Sequence, residues 1–298
     1  MKRAVSISLG STTRDKVVEI DLLGERVRIE RIGTDGDIAK ATQLFEELDG
    51  KVDAFGLGGI DLGEHTPWKF YALHDAQRMV RNVKHTPIVD GGGLKMTLEA
   101  RAVQIMEQEI GSEIAPKTAL LVAAITRYGM TMSFIDAGYE CVFGDLMFSL
   151  GIPIPIRSMT TLRRLAKILL PIIARLPIKW LYPTGEKQDR NEPKFESHYR
   201  WASITAGDFL YVKQHMPLDM QGKVIVTNTT TADDVDFMRE RGVKYLVTTT
   251  PVYDGRSFGT NMMEAALVAA SGKDRELTHA ELNTIIDQLD LKPQIQRL

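Results

Sequence analysis

Short apolar runs alternate along this chain with segments whose apolar residues recur at helical spacing. The runs RAVSISLG, near the N-terminus, and KVDAFGLGG, after the first helical segment, have the length and composition of strands. Between them, apolar residues recur three or four positions apart, at Ile38, Ala41, Leu44, Phe45 and Leu48. The alternation continues through the chain and predicts an α/β fold class with a largely parallel sheet.

Local signals set the limits of individual elements. VVEIDLLG and RVRIERIG flank Gly24 and alternate apolar and polar positions, which predicts a hairpin. Thr231 is the predicted N-cap of one helix, and Thr278 with Glu281 forms a capping box at the start of another. The pattern further predicts one long helix after the loop VDGGG and a strand at ITAGDFLYV.

The polar segment GSEIAP interrupts the pattern before the apolar run TALLVAA. We place a domain boundary there, which gives an N-terminal α/β domain at residues 1–115 and a second domain at residues 116–257. Helical patterns then fill residues 258–298.

The segment KTALLVAAITRYGMTMSFIDAGYECVFGD has the strand, turn, helix and strand order of a dinucleotide-binding unit. Aligned on G-x-G-x-x-G, it places Ala124, Thr126 and Gly129 at the glycine positions and Asp145 at the ribose-binding carboxylate. This order predicts a Rossmann-like, doubly wound second domain. Thr126 would meet a phosphate, although the same elements without a nucleotide are an equal expectation.

Composition excludes several classes of protein. The 298 residues carry a net charge of −2, which gives no electrostatic footprint for nucleic acid. One cysteine and six histidines without metal-binding spacing predict no metal site. The longest apolar stretch, at residues 165–181, contains three basic residues and two prolines, so that a membrane span is not expected. We expect a cytoplasmic protein with a small-molecule partner, and self-association stays open.

Polar turns follow three strands of the second domain, where parallel strands place their ligands. The candidate contacts there are Asn228, Thr229, Thr249, Thr250 and Arg256. Short hydroxyl and amide side chains suit a hydroxylated or phosphorylated molecule, but they also cap helices. In the first domain, the glycine turns GLGGIDLG and VDGGGLK contain Asp61, Asp90 and Lys95, which we predict to form an acid/base group.

Strings including RYGM, GIPIPIRS, YPTGEKQ, TNTTT and TTTPVYDGRSFGTN resemble a bacterial family commonly labelled quinate 5-dehydrogenase. The resemblance implies the plan of shikimate and quinate dehydrogenases, in which the C-terminal helices, here at 258–298, return to the substrate domain. It implies that Ser6, Ser8 and Asn261, which ends the last of these strings, bind substrate. It also implies that Lys95 is catalytic.

The leading hypothesis is therefore an NAD(P)-dependent dehydrogenase of a polyhydroxylated carboxylate such as quinate. Lys95, assisted by Asp90 or Asp61, would move the proton, and Arg127 would face a phosphate. Asp145 would bind a ribose hydroxyl, and because its carboxylate would repel a 2′-phosphate, NAD is favoured over NADP. Two alternatives are a non-catalytic small-molecule-binding or regulatory protein with a degenerate nucleotide site, and a phosphate-binding transferase or lyase.

Overall fold

The computed structural model describes residues 1–177, 191–253 and 256–298, except for the side chains of residues 252, 253, 256 and 257. Contacts divide the chain into two compact units. Unit 1 comprises residues 1–94, 169–188 and 259–290, and unit 2 comprises residues 95–168, 189–258 and 291–298.

Unit 1 contains a five-stranded sheet in the order β2-β3-β1-β4-β7. Its strands are β1 Lys2–Ser8, β2 Lys16–Leu22, β3 Glu25–Gly33, β4 Ala54–Gly58 and β7 Ile88–Val89, and a separate two-stranded ribbon is formed by β5 Gly63–Thr66 and β6 Lys69–Ala72. The β2–β3 hairpin is confirmed, with Leu22 opposite Glu25 across the turn. The other pairs in the large sheet are parallel.

Five of the helices in the described residues belong wholly or mainly to unit 1. They are α1 Ile38–Leu48, α2 His74–Val80, α3 Gly92–Met96, α11 Thr260–Ser271 and α12 His279–Gln288. The Thr278–Glu281 capping box that begins α12 is confirmed. Helix α11 is buried along most of its length and packs on β1, β3 and β4. The sequence places small and apolar residues on all its faces, as burial requires.

Unit 2 contains a six-stranded sheet in the order β15-β12-β11-β10-β8-β9. Its strands are β8 Thr118–Leu121, β9 Glu140–Phe143, β10 Ile204–Ala206, β11 Val224–Thr227, β12 Tyr245–Thr248 and β15 Gln294–Arg297, and β13 Val252–Tyr253 pairs with β14 Arg256–Ser257 in a small ribbon. Only β15 is antiparallel among the described strands of the large sheet. The two units thus confirm a two-domain α/β fold rich in parallel strands.

The remaining helices in the described residues belong wholly or mainly to unit 2. They are α4 Ala102–Ile110, α5 Tyr128–Asp136, α6 Asp145–Leu150, α7 Met159–Ile173, α8 Glu196–Trp201, α9 Phe209–His215 and α10 Ala232–Glu240. The predicted Thr231 cap of α10 is confirmed. None of the helices in the described residues is long and apolar enough to cross a membrane.

Two sequence predictions about elements are wrong. The long helix expected after VDGGG is divided into α3, a 3-10 turn at Glu99–Arg101 and α4. The strand expected at ITAGDFLYV ends at Ala206, and α9 begins at Phe209 because Asp208 caps it by accepting a hydrogen bond from the backbone N–H of Leu210. The apolar run alone did not distinguish a strand from a buried helix.

Candidate functional site

The strand order of unit 2 reverses at β8, and this reversal marks one crevice at the edge of the sheet. Strand β9 lies on one side of β8, whereas the next strand in sequence, β10, lies on the other side. Ligands of open α/β sheets bind outside the carboxyl ends of the strands at such a reversal. The residues that follow β8 and β10 therefore form the candidate site: the turn at residues 122–127, called here the β8 turn, and Gly207 with Asp208.

A buried ion triad occupies this edge of the sheet. The guanidinium of Arg127 donates to the Oε1 atom of Glu99 and, at 3.0 Å, to the Oδ2 atom of Asp208. The side chains of Arg127 and Glu99 are 4% and 0% exposed, whereas 32% of the Asp208 side chain is exposed. Asp208 thus connects the buried pair to the solvent.

Polar side chains from the next two strands extend the triad. The Thr249 hydroxyl, which is buried after β12, donates to Glu99 Oε1 at 3.4 Å. The Asn228 amide, which is half-buried after β11, lies 3.5 Å from Asp208 Oδ2. Thr229 is half-buried beside Asn228. The polar turns predicted to meet at the carboxyl edge therefore contribute side chains to one cluster.

Thr250 has a structural position behind this cluster. Its hydroxyl donates to the backbone carbonyl of Phe258 at 2.5 Å and to that of Asn228 at 3.2 Å. The side chain of Arg256, also predicted to bind substrate, lies outside the described residues.

The charge of the triad is net negative, because two carboxylates face one guanidinium. The Oε2 atom of Glu99 is buried and accepts no hydrogen bond from the described residues. A buried polar atom of this kind favours a hydrogen-bond donor as its neighbour. Arg127, which was predicted to face a phosphate, is instead held by protein carboxylates, and an anion here would meet Glu99 and Asp208.

The β8 turn does not fit a pyrophosphate in the usual pose. Asp145, the predicted ribose ligand, turns inward, and its Oδ1 atom accepts a hydrogen bond from the backbone N–H of Ile125 at 2.9 Å. Its Oδ2 atom is buried without a hydrogen-bond partner in the described residues, and burial raises the pKa of Asp145 to about 6. A protein carboxylate therefore occupies the turn where a dinucleotide phosphate would bind, with half-buried Thr126 alongside.

Gly129 has a different partner from the one expected of the third glycine in a nucleotide motif. An added Cβ would lie 2.6 Å from the backbone oxygen of Lys95 and 3.4 Å from Cβ of Ala100. The glycine therefore allows α5 to approach the end of α3 and the following 3-10 turn closely, rather than a strand or a cofactor.

The glycine turns of unit 1 are likewise filled by protein carboxylates. Asp90 accepts hydrogen bonds from the backbone N–H groups of Gly92, at 2.9 Å, and Leu62, at 2.7 Å, and so joins the two glycine turns. Glu264 of α11 accepts from the backbone N–H of Leu94 at 3.0 Å. Both carboxylates are buried. Their oxygens hold the backbone, and Asp90, which was predicted to transfer a proton, therefore has a structural role in these turns.

Asp61, another member of the predicted catalytic group, directly precedes Leu62, whose backbone N–H donates to Asp90. Lys95 is buried and belongs to unit 2, whereas Asp61 is half-buried in unit 1. The predicted substrate residues Ser6 and Asn261 do meet, because the Asn261 amide donates to Ser6 Oγ at 2.7 Å. Ser8 accepts a hydrogen bond from Arg31 at 3.0 Å.

Sequence reasoning missed Glu99 and Asp208. Glu99 fell inside the long helix that the structure divides, and Asp208 fell inside the strand that proved to be a helix start. The signal for Asp208 was present: the pair Gly207–Asp208 directly follows an apolar run, as a helix cap after a strand does. Glu99 carried no comparable local signal. No group of three or more metal-binding side chains occurs among the described residues.

Several solved structures have a similar course of the chain. One is the periplasmic sugar-binding protein of an ABC sugar transporter from Legionella pneumophila, with 10% identity, 98% of this chain and 97% of that chain covered, and a TM-score of 0.40. Another is an ABC transporter solute-binding protein from Agrobacterium vitis with bound D-fucose, with 12% identity, coverage of 100% and 95%, and a TM-score of 0.36. A third, from Brachyspira murdochii, is described as an ABC transporter, LacI family transcriptional regulator, with 10% identity, coverage of 99% and 94%, and a TM-score of 0.39.

The resemblance to quinate 5-dehydrogenases is wrong, and with it the predicted dehydrogenase function. The structures named above are not shikimate or quinate dehydrogenases, and no curated protein matches the sequence. The strand order gives a physical reason, because among the described strands of unit 2 one, β9, lies beyond β8, whereas the dinucleotide-binding order 3-2-1-4-5-6 has two strands beyond its first.

Two family models cover almost the whole sequence. One, described as a domain of unknown function (DUF8753), matches residues 3–90. The other, described as a domain of unknown function (DUF8754), matches residues 93–298. Since this second match includes more than half of the residues, the chain belongs to the DUF8754 family.

Proposed function

We propose that this protein is a non-catalytic binding protein for a small, uncharged, hydroxylated molecule, and that unit 2 binds it at the carboxyl edge of its sheet. The observation that carries the proposal is the triad at the strand reversal. It joins a buried guanidinium to one buried and one solvent-facing carboxylate, with the Asn228 amide beside them.

The chemistry of the triad supports hydroxyl groups as the ligand's polar groups. A carboxylate accepts hydrogen bonds from two hydroxyls, and an amide both donates and accepts, so that Asp208 and Asn228 can satisfy vicinal hydroxyls. Anions are disfavoured because Arg127 is already neutralised and the net charge of the triad is negative. This also weighs against the phosphate-binding transferase or lyase.

The proposal contains no chemical step. Asp90, one of the three residues predicted to transfer a proton, accepts hydrogen bonds from backbone N–H groups, and the triad side chains bind one another. Binding sites of this kind hold their ligand with a few fixed polar groups, and they need no exposed, activated nucleophile.

Isothermal titration of the whole chain tests the proposal. The panel contains neutral polyols (D-glucose, D-fucose and myo-inositol) and anions (quinate, AMP and NAD). We expect at least one neutral compound to bind and the anions to bind at least tenfold more weakly. Asp208→Asn should weaken the neutral ligand about 10- to 100-fold, because a hydrogen bond to a charged group contributes about 1.5–3 kcal/mol.

The matched control is Asp236→Asn. This carboxylate lies on α10 in the same unit, its side chain is 65% exposed, and its partner is Arg239 of the same helix. The control should bind like the wild type. Preferential binding of an anion, or equal affinities for wild type and Asp208→Asn, would contradict the proposed site.

A further inference from the structure

The β8 turn contains a carboxylate in an unfavourable environment. Asp145 is the first residue of α6, and its side chain points back across the sheet edge to the turn. Hydrogen bonds from the backbone N–H groups of Ile125, Ala124 and Asp145 itself favour the ionised form, but desolvation outweighs them and raises the pKa of Asp145 to about 6.

Capping of α6 alone does not explain this arrangement. A capping carboxylate is normally satisfied by N–H groups and open to water, whereas Asp145 Oδ2 has neither a partner in the described residues nor appreciable solvent contact. The charge is instead aimed into backbone N–H groups of another turn, 20 residues earlier in the sequence. Such N–H groups at the end of a strand form a concavity that favours an anion.

We propose that the β8 turn is a latent binding site for a compact oxyanion such as a phosphate group, and that Asp145 keeps it closed by occupying it. Asp145 is then a specificity-determining residue, because it keeps anionic ligands out of the β8 turn in addition to the exclusion that the net negative triad provides. This second clause rests on the proposed function, whereas the latent site does not.

Residues on both sides of the contact between Asp145 and the turn are partly exposed to solvent. Asp145 and Thr126 are half-buried as residues, although the Asp145 oxygens point inward. The backbone N–H groups of Ile125 and Ala124, which now face the carboxylate, are donors of the kind that a phosphate group uses. A single shortened side chain at position 145 should therefore leave the donors in place without their present occupant.

The experiment compares the whole chain with Asp145→Ala, Asp145→Ser and Asp145→Asn. Binding of inorganic phosphate and of AMP is measured by isothermal titration at pH 7.5, and near-ultraviolet circular dichroism reports the fold. Alanine and serine should increase phosphate affinity at least tenfold over the wild type. Asparagine, whose amide fills the same space, should not. AMP binding by the same variants distinguishes a phosphate group on a nucleotide from the free ion.

Three results would overturn the proposal. One is a folded alanine or serine variant with no gain in phosphate affinity, and another is wild-type protein that binds phosphate as well as either variant. The third is loss of the fold in both variants, because the carboxylate would then be a structural necessity. Phosphate is titrated without any polyol, so the failure of polyol binding in the wild type contradicts the proposed function without affecting this result.

Discussion

Replacement of Arg127 by methionine should destabilise unit 2 severely. Glu99 is fully buried, and Arg127 is the cation that compensates its charge, with 4% of its own side chain exposed. Removal of one partner of a buried ion pair costs about 3–5 kcal/mol, because the remaining charge is left desolvated. We therefore expect the free energy of unfolding of Arg127→Met to fall by about that amount, measured by urea titration with far-ultraviolet circular dichroism.

The double variant Glu99→Leu/Arg127→Met separates charge from packing. Replacement of both members by apolar side chains removes the desolvation cost, so this variant should be within about 1 kcal/mol of the wild type. Arg239→Met, which breaks an exposed pair with Asp236 in the same unit, is the control and should cost less than about 1 kcal/mol. A loss below 1 kcal/mol for Arg127→Met, or a double variant as unstable as the sum of the two single variants, would refute the reasoning.

Three further changes test other parts of the structure. The pKa of Asp145 is raised from 3.8 to about 6, so the stabilising contribution of its protonated form is complete below pH 3.8 and is lost as pH rises through about 6. This loss is about 3 kcal/mol, and urea titrations from pH 4 to 8 should show that Asp145→Asn removes it. An unchanged pH profile would contradict the burial of the charge. Burial lowers the pKa of His215, so stability should fall as pH drops below about 6.5, and His215→Phe should reduce this acid sensitivity in the same titrations. Gly129→Ala places a Cβ 2.6 Å from the Lys95 oxygen and should lower the free energy of unfolding by about 1–3 kcal/mol in urea titrations, and a variant as stable as the wild type would contradict this close contact.

Local patterns were sufficient for the elements whose limits depend on neighbouring residues. The capping box of Thr278 and Glu281 and the hairpin around Gly24 are both set by residues within a few positions of one another. The start of α9 was missed because the run after Asp208 is apolar enough for a strand, and its helix is decided by the cap and by packing.

The site was predictable in position but not in its contacts. Parallel topology brings the turns after β8, β11 and β12 to one edge, which the sequence order implies. The partners of Arg127, however, lie 28 and 81 positions away, and no spacing rule relates them. The sequence spacing predicted that Asp145 lies near the β8 turn, and its carboxylate does contact this turn. Spacing alone could not show whether the carboxylate would face a ribose or the backbone.

Three carboxylates that bind backbone N–H groups bear on both the cofactor prediction and the catalytic prediction. Backbone N–H groups in buried turns must find acceptors, and a turn that binds an anionic ligand leaves some of them to that ligand. In this chain, Asp90, Glu264 and Asp145 supply the acceptors internally. Asp90 precedes its glycine turn directly and bonds the N–H two residues on, which is a local pattern readable from sequence. An aspartate at that position therefore weighs against a phosphate in the following glycine turn, and the same argument explains why glycine-rich turns here need not indicate a nucleotide.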